Sequence, residues 1–166
     1  MSTENRKNNV EFLYSEHESE ELAKMLVGLM RPRLGILKDT PLGVSTRIIT
    51  PSMEGTGAVD ATAAAFALLL SPGLEYTLNG AHGVGALMDE LEDAGAPVLP
   101  VVLEPLTGNG RGHWSYAGRA VFRGPDATSS SGSFAEAAES RHSAGLFANG
   151  LAQAIGNRLS GQGGYR

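Results

Sequence analysis

Cysteine is missing from the 166 residues. That excludes disulfides, thiolate metal sites and a cysteine nucleophile, and it leaves stability to packing. Basic charge is also scarce: 13 Lys and Arg stand against 18 Asp and Glu, for a formal net charge of −5. Such a chain has no field to gather a phosphate backbone or an acidic membrane surface, so neither nucleic acid nor membrane is an expected partner. No apolar run approaches the ~20 residues of a membrane span, and Met1 to Asn9 lacks the apolar centre of a signal peptide. A cytoplasmic location is the expectation. The four histidines show no metal-ligand spacing such as H-E-x-x-H, and no metal is expected.

What remains is enough for one core. Hydrophobic residues make up 42% of the chain, within the usual range of a single domain. Residues 1–8 are polar and read as disordered, residues 9–160 as one α/β domain, and 161–166 as a flexible tail. Val10, Phe12, Leu13 and Tyr14 form a short β-prone run. Leu22, Met25, Leu26, Leu29 and Met30 then recur at helical spacing in an amphipathic helix expected to stop near Pro32. Gly43 to Thr50, with Val44, Thr46, Ile48 and Ile49, reads as a second strand between Pro41 and Pro51.

Ser52 to Gly57 reads as a loop, and Asp60 as the cap of a short Ala-rich helix. The unbroken run Ala65 to Leu70 suggests a strand buried on both faces, ending at Ser71-Pro72-Gly73. Tyr76 to Val84 is polar and Gly-rich and reads as a loop. Leu87, Leu91 and Ala94 mark a helix that Gly95 ends, and Val98 to Leu103 makes the next buried strand. Pro100 in that strand must sit where its missing N–H is not needed. Tyr116, Ala120, Val121 and Phe122 are candidates for a last strand, and Phe147, Leu151, Ile155 and Leu159 for a closing helix. Buried strands alternating with helices predict parallel βαβ units with helices on both faces of an open sheet.

Several of these segments together resemble a Toll/interleukin-1 receptor (TIR) domain, over roughly residues 9 to 160. The run Val10-Glu-Phe-Leu-Tyr-Ser15 followed by Glu18-Ser-Glu-Glu-Leu-Ala23 is similar to that family's first strand, polar turn and first helix. Ala65-Phe-Ala-Leu-Leu-Leu-Ser-Pro72, Asp89-Glu-Leu-Glu92 and Ala96-Pro-Val-Leu-Pro-Val-Val-Leu103 resemble its central Ser-Pro strand, its acidic helix and its following strand. The resemblance implies a flavodoxin-like fold, action in antiviral immunity through self-assembly as a homo-oligomer, and NAD+ as a substrate to be cleaved or cyclised, with no resident cofactor. It points to Glu90 as the catalytic carboxylate, which would stabilise the oxocarbenium-like charge as nicotinamide leaves.

Tyr14 and Ser15 end the first strand and Ser71 ends the central one. They are candidates for the pocket lining, because open α/β sheets bind ligands beyond the carboxyl ends of their strands. Gly80, His82 and Gly83 belong to the Gly-rich stretch and are candidates for approach to a ribose or phosphate. Each has a plainer reading: Ser15 and Ser71 as caps, the glycines as a flexible loop, Glu90 as part of a solvated helix face. Many relatives carry an aromatic or Cys a few residues before the glutamate, where this chain has Asn79 to Gly85. That departure keeps two alternatives open: a non-enzymatic TIR-like interaction or nucleotide-sensing domain, and a small structural protein of a larger assembly.

Overall fold

The computed structural model describes residues 8–15, 20–37, 41–49, 63–78, 81–93, 95–105, 115–116, 119–124 and 133–160. The expected N-terminal disorder (all but Asn8), the Ser52 to Gly57 loop, the Asp60 cap and the C-terminal tail lie outside these residues. The elements run β1 (Asn9–Ser15), α1 (Glu20–Gly35), β2 (Gly43–Ile49), β3 (Ala65–Leu70), α2 (Pro72–Thr77), α3 (Ala81–Asp93), β4 (Val98–Val102), β5 (Ser115–Tyr116), β6 (Arg119–Ala120), α4 (Phe134–Ala137) and α5 (Arg141–Ser160).

Four strands form one parallel sheet in the order β2-β1-β3-β4. Phe122 extends it by one position: its N–H donates to Pro100 C=O and its C=O accepts from Val102 N–H, a parallel bridge beside Val101. The same alternation explains Pro100. Phe66 N–H donates to Pro97 C=O and Leu103 N–H to Leu70 C=O, so the odd-numbered residues of this segment face β3 and the even-numbered ones face the opposite edge. The nitrogen of Pro100 therefore points where β4 needs no donor.

The strands are apolar on both sides because both sides are covered. Phe12, Tyr14 and Val101 belong to the core under α1 and α5, together with Leu26, Met30, Phe134, Phe147 and Leu151. Leu13, Phe66, Leu68 and Val102 belong to a second core with Leu74, Met88 and Leu91 of α2 and α3. This is a flavodoxin-like α/β fold, an open parallel sheet with helices on both faces, as the sequence pattern predicts. Phe147 anchors the first core, with its ring centroid 5.2 Å from those of both Phe122 and Phe134.

Two boundaries differ from expectation and one agrees. Helix α1 runs through Pro32 to Gly35. Pro32 lies on its exposed side, where water can meet the carbonyl the proline leaves unpaired, while buried Met30 and Leu34 hold the turn to the core. The strand β3 ends at Ser71-Pro72 as expected, and the plainer reading of Ser71 as a cap holds. Ser71 is an N-cap whose Oγ accepts from Leu74 N–H at 3.1 Å, and Pro72 takes the first helical position, where its fixed φ is suited and its missing N–H costs nothing. Helix α3 begins at Ala81, within the stretch read as a loop, and packs into the α2–α3 corner at Gly83. It ends as expected, at Gly95 with φ 103°, an angle that glycine tolerates best.

Candidate functional site at the carboxyl ends of β1 and β3

Strand order decides where a ligand fits. From β1 the chain passes under α1 to β2, and from β3 it passes over α2 and α3 to β4 on the other face. The connections leaving β1 and β3 thus diverge to opposite faces, the arrangement in which open α/β sheets place a ligand crevice, between the carboxyl ends of these two neighbouring strands.

The strand ends at that position carry polar residues closed to water. Ser15 ends β1 fully buried and shares a 3.1 Å hydrogen bond with the Thr77 hydroxyl at the end of α2. Ser71, also buried, ends β3, and its oxygens hold the first turn of α2 by accepting from Leu74 and Glu75 N–H. Beside it, Leu70 C=O accepts from both Leu103 and Glu104 N–H at 3.0 and 3.2 Å, tying the exit of β4 to that of β3. Half-buried Glu104 and Glu75 are carboxylates that the topology brings to this edge; both already have interacting partners. A hydroxyl both donates and accepts, so a ligand hydroxyl that displaced one member of the buried Ser15–Thr77 pair would take over its hydrogen bond.

The sequence-expected residues are dispersed differently from expectation. Tyr14 and Ser15 are consecutive on a strand and so point to opposite faces. Tyr14 belongs to the α1 side, and Ser15 meets α2. Burial raises the Tyr14 phenol pKa above its ordinary value; the charge of Glu20 on α1 raises it further, and Lys24 opposes this. Gly83 is a packing residue: a Cβ there would overlap the Leu78 carbonyl oxygen and lie 2.8 Å from its carbon. Gly80 and the His82 side chain lie outside the described residues. Glu90 is exposed on α3. It stands nine residues after Ala81, about 13 Å along the axis at ~1.5 Å per residue, on a helix that runs from the crevice edge back toward the start of β4. Ser15 and Ser71 end the two neighbouring strands that bound the crevice, and Glu90 stands apart from them.

Two features escaped the sequence reading. Thr77 lay in a segment read as a loop; its signal was the Ser-Pro helix start five residues earlier. Glu11 is the one charged residue of β1, 1% exposed. Its Oε2 accepts from Arg47 Nη2 at 3.5 Å, and two residues back along both strands Asn9 Nδ2 donates to Ser45 Oγ at 2.8 Å. This polar strip crosses from β1 to β2 four residues before Ser15, about 13 Å from the crevice at ~3.3 Å per residue. Its signal was a lone carboxylate in an apolar run. Among the described residues no group of three or more His, Asp or Glu is gathered as a metal ion would require, and no helix is long and apolar enough to cross a membrane. No protein-family model matches the chain, and a search of curated proteins finds no match.

Proposed function

We propose that this chain is a TIR-like domain that binds NAD+ or a related nucleotide in the β1/β3 crevice and acts through self-association in immune signalling, as a sensing or interaction domain. The observation that carries the reading is the buried Ser15–Thr77 hydroxyl pair at the switch point of the sheet. It supplies donor and acceptor capacity suited to ribose hydroxyls at the place where this architecture receives ligands. The resemblance of the Val10 to Ser15 and Ala65 to Pro72 segments to TIR strands supports the choice of nucleotide.

Glycosidic cleavage asks for more. An oxocarbenium-like transition state needs a carboxylate close to the anomeric carbon in a partly dry pocket. Glu90, the carboxylate that the resemblance nominates, is exposed and about two and a half helical turns down α3, which favours binding over turnover. NAD+ cleavage or cyclisation through Glu90 is the competing reading.

Titration calorimetry with NAD+, paired with chromatography of nicotinamide release at high protein concentration, separates them. Saturable binding, weakened by Ser15→Ala and without nicotinamide release, is the expected result. Release that disappears in Glu90→Gln would establish the glycohydrolase instead, and absence of binding would remove the nucleotide from the proposal.

A further inference from the structure

Strand β2 is an edge of the sheet, paired with β1 alone among the described residues. Gly43 N–H donates to Asn8 C=O, which fixes the alternation along the ladder: residues 43, 45, 47 and 49 bond β1, and residues 44, 46 and 48 aim their N–H and C=O groups outward. The outward carbonyl of Val44 accepts from Arg31 Nη1 at 3.1 Å, consistent with that direction. Thr46 is exposed and Ile48 is 38% exposed.

Natural sheets blunt such edges with outward charges, internal prolines or bulges. This strand uses none of these along its length. Its pairing with β1 is unbroken for seven residues; its single charge, Arg47, is 42% exposed but reaches across to buried Glu11 on β1, and Arg31 of α1 occupies one lone pair of one outward carbonyl, that of Val44. What the edge presents is Val44, Thr46 and Ile48, all β-branched and all on one side of the strand.

We infer that β2 pairs antiparallel with β2 of a second copy of this chain, about a two-fold axis at Thr46, joining two sheets into one. The sequence is self-complementary in this register. Thr46 lies opposite Thr46 of the other copy, and Val44 opposite Ile48, so outward-aimed groups meet outward-aimed groups throughout. Arg47 falls opposite Ser45, so no like charges meet across the seam. The carbonyl of Val44 keeps Arg31 and accepts a second donor on its other lone pair. Ile48, exposed in the single chain, packs against Val44 across the axis. The inference is independent of what the crevice binds.

The absence of native cysteine makes the register directly testable. In a Thr46→Cys variant the two thiols sit across one hydrogen-bonded pair, with Cα atoms about 5.5 Å apart, within the roughly 4.4–6.8 Å a disulfide spans. A Val44→Cys variant places its thiols four residues out of register, about 13 Å apart. Oxidation of Thr46→Cys to a covalent dimer, with Val44→Cys remaining uncrosslinked, is the expected result. Sedimentation equilibrium of the unmodified chain should show a dimer, and Thr46→Lys, which sets like charges face to face, should raise its dissociation constant by about tenfold or more. A chain that stays monomeric at all concentrations overturns the inference. So does a dimer that Thr46→Lys leaves intact, or one that Val44→Cys crosslinks as readily as Thr46→Cys.

Discussion

Substituting Gly83 by alanine tests the corner that places Thr77. On intrinsic preference alone the change should help, since alanine is favoured over glycine within a helix by about 1 kcal/mol. The geometry reverses the sign. The added Cβ would overlap the Leu78 carbonyl oxygen and stand 2.8 Å from the carbonyl carbon, and this obstacle is backbone, so no rotamer change relieves it. Helix α3 or the end of α2 must move, and overpacking of this kind costs about 1–3 kcal/mol, with the upper part of that range expected here. Gly28 is the matched control: it lies on the exposed side of α1, and a Cβ there meets nothing within 4 Å, so alanine keeps its full advantage. In thermal denaturation a chain of this size shifts by roughly 2–4 °C per kcal/mol. Gly83→Ala should therefore melt about 4 °C or more below the parent and Gly28→Ala about 2–4 °C above it. Because Leu78 follows Thr77 directly, Gly83→Ala should also weaken nucleotide binding. A Gly83→Ala protein as stable as the parent, with Gly28→Ala behaving as stated, would refute the reading of Gly83 as a packing residue.

The Ser15–Thr77 pair gives a second test. Ser15→Ala takes from the buried Thr77 hydroxyl its 3.1 Å partner, at about 1–3 kcal/mol, and Thr77→Val removes one of the contacts of Ser15, so each should destabilise, while the double variant should fall short of their sum by about 0.5–1.5 kcal/mol in urea unfolding; strict additivity would show that the 3.1 Å contact is not an interaction in solution. Tyr14 sets a limit at high pH. Burial first, and Glu20 second, raise its pKa in the folded protein above the ordinary phenol value near 10.0, so folding favours the protonated phenol. The resulting stability is complete below about pH 10 and is lost as pH rises through the folded pKa. Unfolding free energies measured from pH 9 to 11.5 should decline, and Tyr14→Phe should flatten that decline; an equal slope in both proteins would dismiss the assignment.

The parts of the fold legible in the sequence were those in which one physical effect dominated. Ala65 to Leu70 and Val98 to Val102 are apolar on both faces because helices cover both, and a residue-by-residue reading catches that. The helices α1 and α5 announced themselves by the spacing of Leu26, Met30, Leu151 and Ile155, all buried as predicted. Misreadings arose where a tertiary requirement overrode a local preference. Glycine opposes helix, so Tyr76 to Val84 was read as a loop, yet α3 needs Gly83 in order to approach Leu78 closely. Pro32 opposes helix too, but on an exposed side its cost is small compared with the burial of Met30 and Leu34.

The site was legible only in part, and the reason lies in strand order. Ser15 and Thr77 are 62 residues apart in sequence, and their contact requires that β3 lie beside β1, which no periodicity contains. The pleat then separates what the chain joins: Tyr14 and Ser15 are neighbours by one peptide bond, but one is committed to the core under α1 and the other to the crevice floor. The same alternation acts on β2, setting Arg47 on the face of Glu11 and Thr46 and Ile48, both exposed, on the other. A single β geometry thus sorts consecutive residues onto opposite faces of the sheet and backbone groups toward β1 or toward the open edge. Substitutions at even- and odd-numbered positions of β1 and β2 should therefore separate into distinct phenotypes.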